Sequence, residues 1–194
     1  MSKIEFIIPT YNRPNHLMCL LNSLCAQRSN KWSAHVVADC PPKGSLDKIM
    51  DYFKDNKKIK FTILPKRHND WGHTPRNYGV QRAKEEWVIM TGEDNYYVPV
   101  FVDNFLSAGT IPKAGFIFCD MVHNWTDFQY HSVNCEPSWG KIDIGNIMIK
   151  TKLAKQMKLD PTVEQADGDY VEEFKVKFPD VRIIKIPKIL YIHN

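Results

Sequence analysis

The sequence predicts an α/β domain built on a mostly parallel sheet flanked by helices. Three observations carry that expectation. Four short apolar runs alternate with three segments of helical period within the first hundred residues. The runs are compact and apolar, as strands covered on both faces must be. Prolines fall where elements start or stop.

Residues 4–8 form the first run, and Pro9 stops it. Pro14 suits the first turn of a helix, where its missing N–H would have no partner anyway, and Leu17, Leu20, Leu21 and Leu24 follow at helical spacing. Residues 35–38 are a second strand, ended by Asp39 and broken by Pro41 and Pro42. Leu46, Ile49, Met50 and Phe53 restore the helical period, and residues 59–64 return to a strand. Thr74 as N-cap and Pro75 in the first turn open a helix that runs to about Ala83, before a fourth strand over 87–91. Beyond residue 100 the spacing predicts a helix over 101–106, strands over 115–119 and 142–149, helices over 151–157 and 169–177, and closing strands over 181–186 and 189–192.

Composition bounds the function. The chain has 194 residues, 43% hydrophobic and 25% charged, which suits one domain with a sizeable core. A net charge of +4 favours small anions mildly, yet the basic residues are scattered, so no nucleic-acid partner is expected. The densest run, Lys54, Lys57, Lys58 and Lys60, reads as a solvated helix end and turn. Five cysteines, an odd number without CxxC spacing, suit free thiols in a reducing compartment and argue against a zinc site. No apolar run reaches membrane-spanning length and the first residues are too short for a signal peptide, so a soluble, cytoplasmic protein is expected.

Open parallel sheets bind ligands beyond the carboxyl ends of their strands. Three such ends carry polar groups here: Thr10, Tyr11 and Asn12 after the first strand, Asp39 after the second, Glu93 and Asp94 after the fourth. The stretch VIMTGEDNYY places two acids side by side where an apolar run ends. Solvation, a helix or turn cap, or a bound cation would each account for the pair.

Taken together, IIPTYNRPNHLMCLLNSL, VVAD before a proline turn, GHTPRNYGVQRAKEEWVIMTGEDN, DGDYVEEF and KIPKILYIHN resemble the family-two nucleotide-sugar glycosyltransferases of the GT-A fold. The blocks come in that family's order and span nearly the whole chain.

The resemblance implies a Rossmann-like sheet in a single GT-A domain over 1–194, with a nucleotide-sugar half (1–97) and a smaller acceptor half (98–194). It implies transfer of one sugar, with inversion, from a UDP-sugar to a hydroxyl on a glycan, lipid or protein, assisted by Mn²⁺ or Mg²⁺. By the same resemblance Asp94 is the metal carboxylate, His193 a second ligand, and Glu93 faces the ribose. Thr10, Tyr11 and Asn12 line the nucleoside pocket, Asp39 accepts the base imide N–H, Arg76 reaches the diphosphate, and Pro9, Arg13 and Gly72 complete the nucleotide-binding set. Asn77 and Gly79 serve helix–strand packing. Asp167 is the general base, while Asp169 suits an N-cap completed by Glu172. Trp139, Gly140, Gly145, Asn146 and Asp169 belong to the sugar and acceptor side, with Trp125 or Trp139 as a stacking surface. His123 and His131 read as ordinary loop histidines.

One departure is plain: Gly92 replaces the first acid of the family's DxD pattern, and Asn95 the last of its longer acidic form. That departure motivates an alternative, a nucleotide- or carbohydrate-binding module of the same fold whose catalysis has decayed. A nucleotidyltransferase would need a glycine-rich segment near the start, which IIPTYNRP lacks.

Overall fold

The structure is a computed structural model and describes residues 2–124 and 129–194. Strands β1 (Ile4–Thr10), β2 (Trp32–Ala38), β3 (Ile59–Ile63) and β4 (Trp87–Met90) pair in parallel, in the order β3-β2-β1-β4. All four residues of β4 and six of the seven of β1 are buried, which explains their unbroken apolar character. Between them come α1 (Pro14–Cys25), α2 (Asp47–Phe53) and α3 (His73–Arg82). Helix α1 starts on Pro14 and turns Leu17, Leu20, Leu21 and Leu24 into the core.

The second half extends the same sheet. Its elements are β5 (Tyr96–Tyr97), α4 (Phe101–Ala108), β6 (Ala114–His123), β7 (His131–Val133), β8 (Ile147–Lys150), α5 (Thr151–Ala154), α6 (Ala166–Lys177) and β9 (Arg182–Ile192). Strand β8 inserts antiparallel between β4 and β6, β9 runs parallel to β6, and β5 and β7 pair antiparallel at β9 and β6. Among the described residues a single sheet of nine strands therefore links both halves.

Aromatic packing fixes the junction. Phe6 of β1, Tyr97 of β5, Phe101 of α4 and Tyr191 of β9 are all fully buried. Tyr97 meets Phe6 at 5.0 Å, Phe101 at 4.6 Å and Tyr191 at 5.4 Å between ring centroids. Burying each such ring contributes roughly 2–3 kcal/mol. The Tyr97 hydroxyl also donates to the Gly145 carbonyl at 2.7 Å. This anchors the chain just after the acid pair.

Several boundaries differ from the sequence expectation. Helix α3 starts at His73, so Thr74 lies inside its first turn; the cap comes from Asp70, whose Oδ2 accepts the Thr74 N–H at 2.9 Å. Helix α6 starts at Ala166, not Asp169, so Asp169 is no N-cap, and Glu172 instead accepts from Lys175 and the Trp139 N–H. Residues 142–149 are a 3₁₀ turn (Ile144–Asn146) followed by β8, because the Asp143 side chain accepts the Gly145 N–H and bends the chain. The two closing strands are one: in β9 Pro187 and Lys188 fall out of register, so Cys119 faces Ile186 and Asp120 faces Ile189. Proline lacks the N–H that pairing there would need. No helix of the described residues is long and apolar enough to cross a membrane.

Gly79 sets how closely α3 approaches β1, for a Cβ there would lie 2.3 Å from Ile7 Cγ2. Gly79→Ala is expected to destabilise the protein by about 1–3 kcal/mol, read as a lower melting temperature. An unchanged melt would show that α3 is not seated on Ile7.

Candidate active site

Two adjoining cavities open at the carboxyl ends of the parallel strands, of about 560 Å³ and about 720 Å³. Trp71, Arg76 and Asp94 line both. The first takes Pro9, Thr10, Tyr11, Asn12 and Arg13 from the end of β1 and the loop after it. Asp39 follows β2, Gly72 precedes α3, and Gly92 and Glu93 follow β4. The second is lined by Trp139, Gly140, Asp143, Asp167 and His193 among others.

The acid pair lies on the boundary. Arg13 donates through Nη1 to Asp94 Oδ2 at 2.8 Å, and its Nε lies 3.9 Å from Glu93 Oε1. Burial pushes Glu93 up to about 7; the Thr10 hydroxyl and Arg13 hold it down, and the Asp94 charge adds to the rise. Near neutral pH much of Glu93 thus carries a proton, which relieves the repulsion between the two acids. A Cβ at Gly92 would sit 2.7 Å from Asp94 Oδ1, so a side chain there would press on the Asp94 carboxylate. Asn95 is buried and donates to the Thr91 hydroxyl at 3.1 Å, so it faces the interior.

Glu93 gives a pH prediction. Its folded value of about 7 exceeds the ordinary 4.5, so the native state binds a proton that the unfolded chain releases in between. That stabilisation is complete below the lower value and lost as pH rises through the upper one. Glu93→Gln should flatten this loss and raise stability at pH 8 by about 1–3 kcal/mol, seen in denaturant titrations at pH 5 and pH 8. Parallel pH profiles for both proteins would refute it.

Asp39 is nearly saturated within the protein. Its carboxylate accepts the backbone N–H groups of His68 and Asn69 at 3.0 Å and the His68 Nδ1 at 2.8 Å, with Arg67 Nε at 3.5 Å. Burial acts to raise its pKa, but those donors outweigh it and hold Asp39 below the usual range. It thereby pins the loop between β3 and α3. From that loop the Arg67 guanidinium lies 3.1 Å from the centroid of the Tyr11 ring. The loop is tight: Asn69, Trp71 and Gly72 have φ of 56°, 54° and 83°. Gly72 also abuts Pro9, where a Cβ would come within 2.8 Å.

Arg76 is buried. Its Nη1 donates to the Trp71 carbonyl at 2.8 Å and its Nε to the Thr91 carbonyl at 3.3 Å. Burial works against its charge, which the carboxylates of Asp143, Asp167 and Asp94 favour. Asn77 holds α3 to the segment before α6, its amide bonding the Leu159 carbonyl at 2.8 Å and N–H at 2.9 Å.

In the second cavity the sequence reading missed Asp143. Its Oδ1 accepts from the Tyr191 hydroxyl at 2.6 Å and the Gly145 N–H at 2.7 Å, while Oδ2 lies 3.5 Å from His193 Nε2. A lone acid between Ile142 and Ile144 was its only sequence signal. Asp167 projects from the first turn of α6, where burial and the Asp143 charge push its pKa up. Trp139 is half-exposed and packs on Gly168, at which a Cβ would meet the indole at 2.2 Å. Gly145 and Asn146 are buried and line neither cavity; the Asn146 amide donates to the Cys119 carbonyl at 2.8 Å. Asp169 is exposed outside both cavities, and Trp125 lies outside the described residues.

No three His, Cys, Asp or Glu side chains among the described residues group closely enough to hold a metal alone. Asp94 and His193 line the same cavity and offer one oxygen and one nitrogen donor. Oxygen and imidazole donors are ligand types that a divalent cation accepts when phosphate and water supply the rest.

A mostly parallel sheet, continued by antiparallel strands and cleft at its carboxyl edge, defines the GT-A type of α/β fold. The chain belongs to glycosyltransferase family 2, since residues 5–164 match the family described as Glycosyl transferase family 2. It is 24% identical over 77% of its length to a Haemophilus influenzae protein described as an uncharacterized glycosyltransferase, covering 49% of that protein. It is 32% identical over half its length to Staphylococcus aureus TarS, a poly(ribitol-phosphate) β-N-acetylglucosaminyltransferase, covering 17% of it. The chain thus spans half or less of the length of these relatives. Among solved structures, S. aureus TarS 1–349 in complex with UDP superposes with a TM-score of 0.82 at 20% identity, over all of this chain and 61% of that one. The mannosyltransferase PcManGT from Pyrobaculum calidifontis, in complex with GDP-Man and Mn²⁺, gives 0.74 at 17% identity, over 98% of this chain and 56% of that one.

Proposed function

We propose that the protein transfers a single sugar from a UDP-sugar to an acceptor hydroxyl, with inversion and with a divalent cation. The observation that carries this reading is the meeting of two cavities at Asp94 and Arg76, with a half-buried carboxylate, Asp167, on the far side. The first cavity receives the nucleoside against Tyr11, with Glu93 toward the ribose. TarS 1–349 has been solved with UDP and with UDP-GlcNAc, which supports a uridine donor. Asp94 and His193 would hold Mn²⁺ or Mg²⁺, which when bound offsets diphosphate charge as the leaving group departs. The Mn²⁺ complex of PcManGT supports the use of a divalent cation.

This chain's residues supply the rest. Arg76 holds a fixed positive charge at the junction in a site sheltered from water, where such a charge acts strongly on a developing anion. Asp167 takes the proton from the acceptor hydroxyl as that oxygen attacks the anomeric carbon. The bond from that carbon to the diphosphate oxygen breaks, and UDP leaves with the electron pair. Attack from the face opposite the leaving group inverts the configuration.

A screen of UDP-sugars for UDP release, with Mn²⁺ and with chelator, tests the reading. Slow release dependent on the cation is expected even without acceptor. A protein that neither binds nor turns over any UDP-sugar overturns it. One observation favours a second reading, a binding module without catalysis: Arg13 already neutralises Asp94. Calorimetric UDP binding with no release under any metal condition would select that reading.

A further inference from the structure

We propose that Trp71 is the platform for the transferred sugar, and that this sugar is an uncharged pyranose. The inference rests on the donor reading above and adds the residue that receives the sugar and its charge class.

Trp71 lines both cavities together with Asp94 and Arg76. In a nucleotide sugar, the pyranose is the group between the diphosphate and the acceptor. A side chain shared by the nucleotide cavity and the acceptor cavity therefore stands beside it. Trp71 is 52% exposed. A tryptophan at φ 54° is a costly conformation for a bulky side chain. It is held there by the Arg76 bond to the Trp71 carbonyl at 2.8 Å and by Gly72 wedged against Pro9. The outcome of that strain is an aromatic face offered at the cavity boundary instead of buried in the core. Flat aromatic faces suit the axial C–H bonds of a pyranose.

Charge narrows the sugar. Around the boundary and the second cavity stand the carboxylates of Asp94, Asp143, Glu164 and Asp167, against the buried guanidinium of Arg76, the Arg13 guanidinium paired with Asp94, and the imidazoles of His73 and His193. One or two ligands' worth of that negative charge would face a divalent cation, and the remainder would face the sugar. A uronic acid would add an anion to this group, whereas a hexose or an N-acetylhexosamine would not.

The test is calorimetry with UDP, UDP-glucose, UDP-GlcNAc and UDP-glucuronate in the presence of Mn²⁺. The variants are Trp71→Phe, which keeps a ring, and Trp71→Gly, which suits the left-handed backbone and so removes the ring without adding strain. Wild type should bind at least one neutral UDP-sugar more tightly than UDP or UDP-glucuronate. Trp71→Gly should weaken that donor about ten-fold while leaving UDP within about two-fold, and Trp71→Phe should recover most of the loss. Donor affinity unchanged in Trp71→Gly overturns the platform. Equal losses for UDP and UDP-sugar also overturn it, because the ring would then serve the nucleotide or the loop. UDP-glucuronate as the tightest ligand overturns the charge class. Failure of the wild type to bind even UDP would sink the donor reading itself, a result distinct from these.

Discussion

Asp94→Ala should abolish cation-dependent UDP release, with a loss of about 10³-fold or more in kcat/KM. Among the described residues Asp94 is the one carboxylate that lines both cavities, and it meets Arg13 at 2.8 Å. Arg13 is more than half exposed, so a divalent cation arriving with the nucleotide can displace it without disturbing the core. Removing the carboxylate leaves only His193, in the second cavity, of the pair that the proposed function assigns to the cation. Mn²⁺ binding in the presence of UDP, followed by electron paramagnetic resonance, should weaken in parallel. An Asp94→Ala protein that releases UDP with undiminished Mn²⁺ dependence would remove the foundation of the mechanism.

Asp167→Asn should reduce transfer by about 10²–10⁴-fold while leaving UDP-sugar affinity within about two-fold. The substitution keeps size and hydrogen bonding, and Asp167 lies in the second cavity away from the nucleoside residues. Burial, then the Asp143 charge, pushes Asp167 upward, which favours a base that holds a proton more tightly than an exposed aspartate. A base works only when ionised, so kcat should fall as pH drops through a value above the ordinary carboxylate range. In Asp167→Asn that acid limb should vanish from the residual rate. Transfer at the wild-type rate would mean that another group takes the proton.

Much of the fold was legible in the sequence because its first half obeys local rules. Strands covered on both faces are apolar throughout, and Pro14 and Pro75 mark helix starts through a missing N–H. Where tertiary contacts decided the outcome, local rules failed. The last helix was expected from Asp169, yet it takes in Asp167 and Gly168, and the Trp139 indole occupies the space a side chain at 168 would need. Tyr96–Tyr97 forms a strand only by pairing with β9, nearly a hundred residues away. The polar residues at the strand ends were legible because a parallel sheet directs ligands there. Arg67, His68, Asp70 and Trp71 were not, since a polar loop gives no sign of which side chains it turns inward. Asp143 was hidden in a similar way: its partners Tyr191 and His193 come from the far end of the chain.

The guanidinium seated on Tyr11 bears on kinetics. A nucleobase that takes that face must evict Arg67, and Arg67 is also tethered to Asp39 at 3.5 Å. Complex formation would then proceed in two steps, an opening followed by capture. In stopped-flow mixing the observed rate should level off at high nucleotide concentration, at the frequency with which the arginine departs, and substituting Arg67 with alanine should restore a linear dependence.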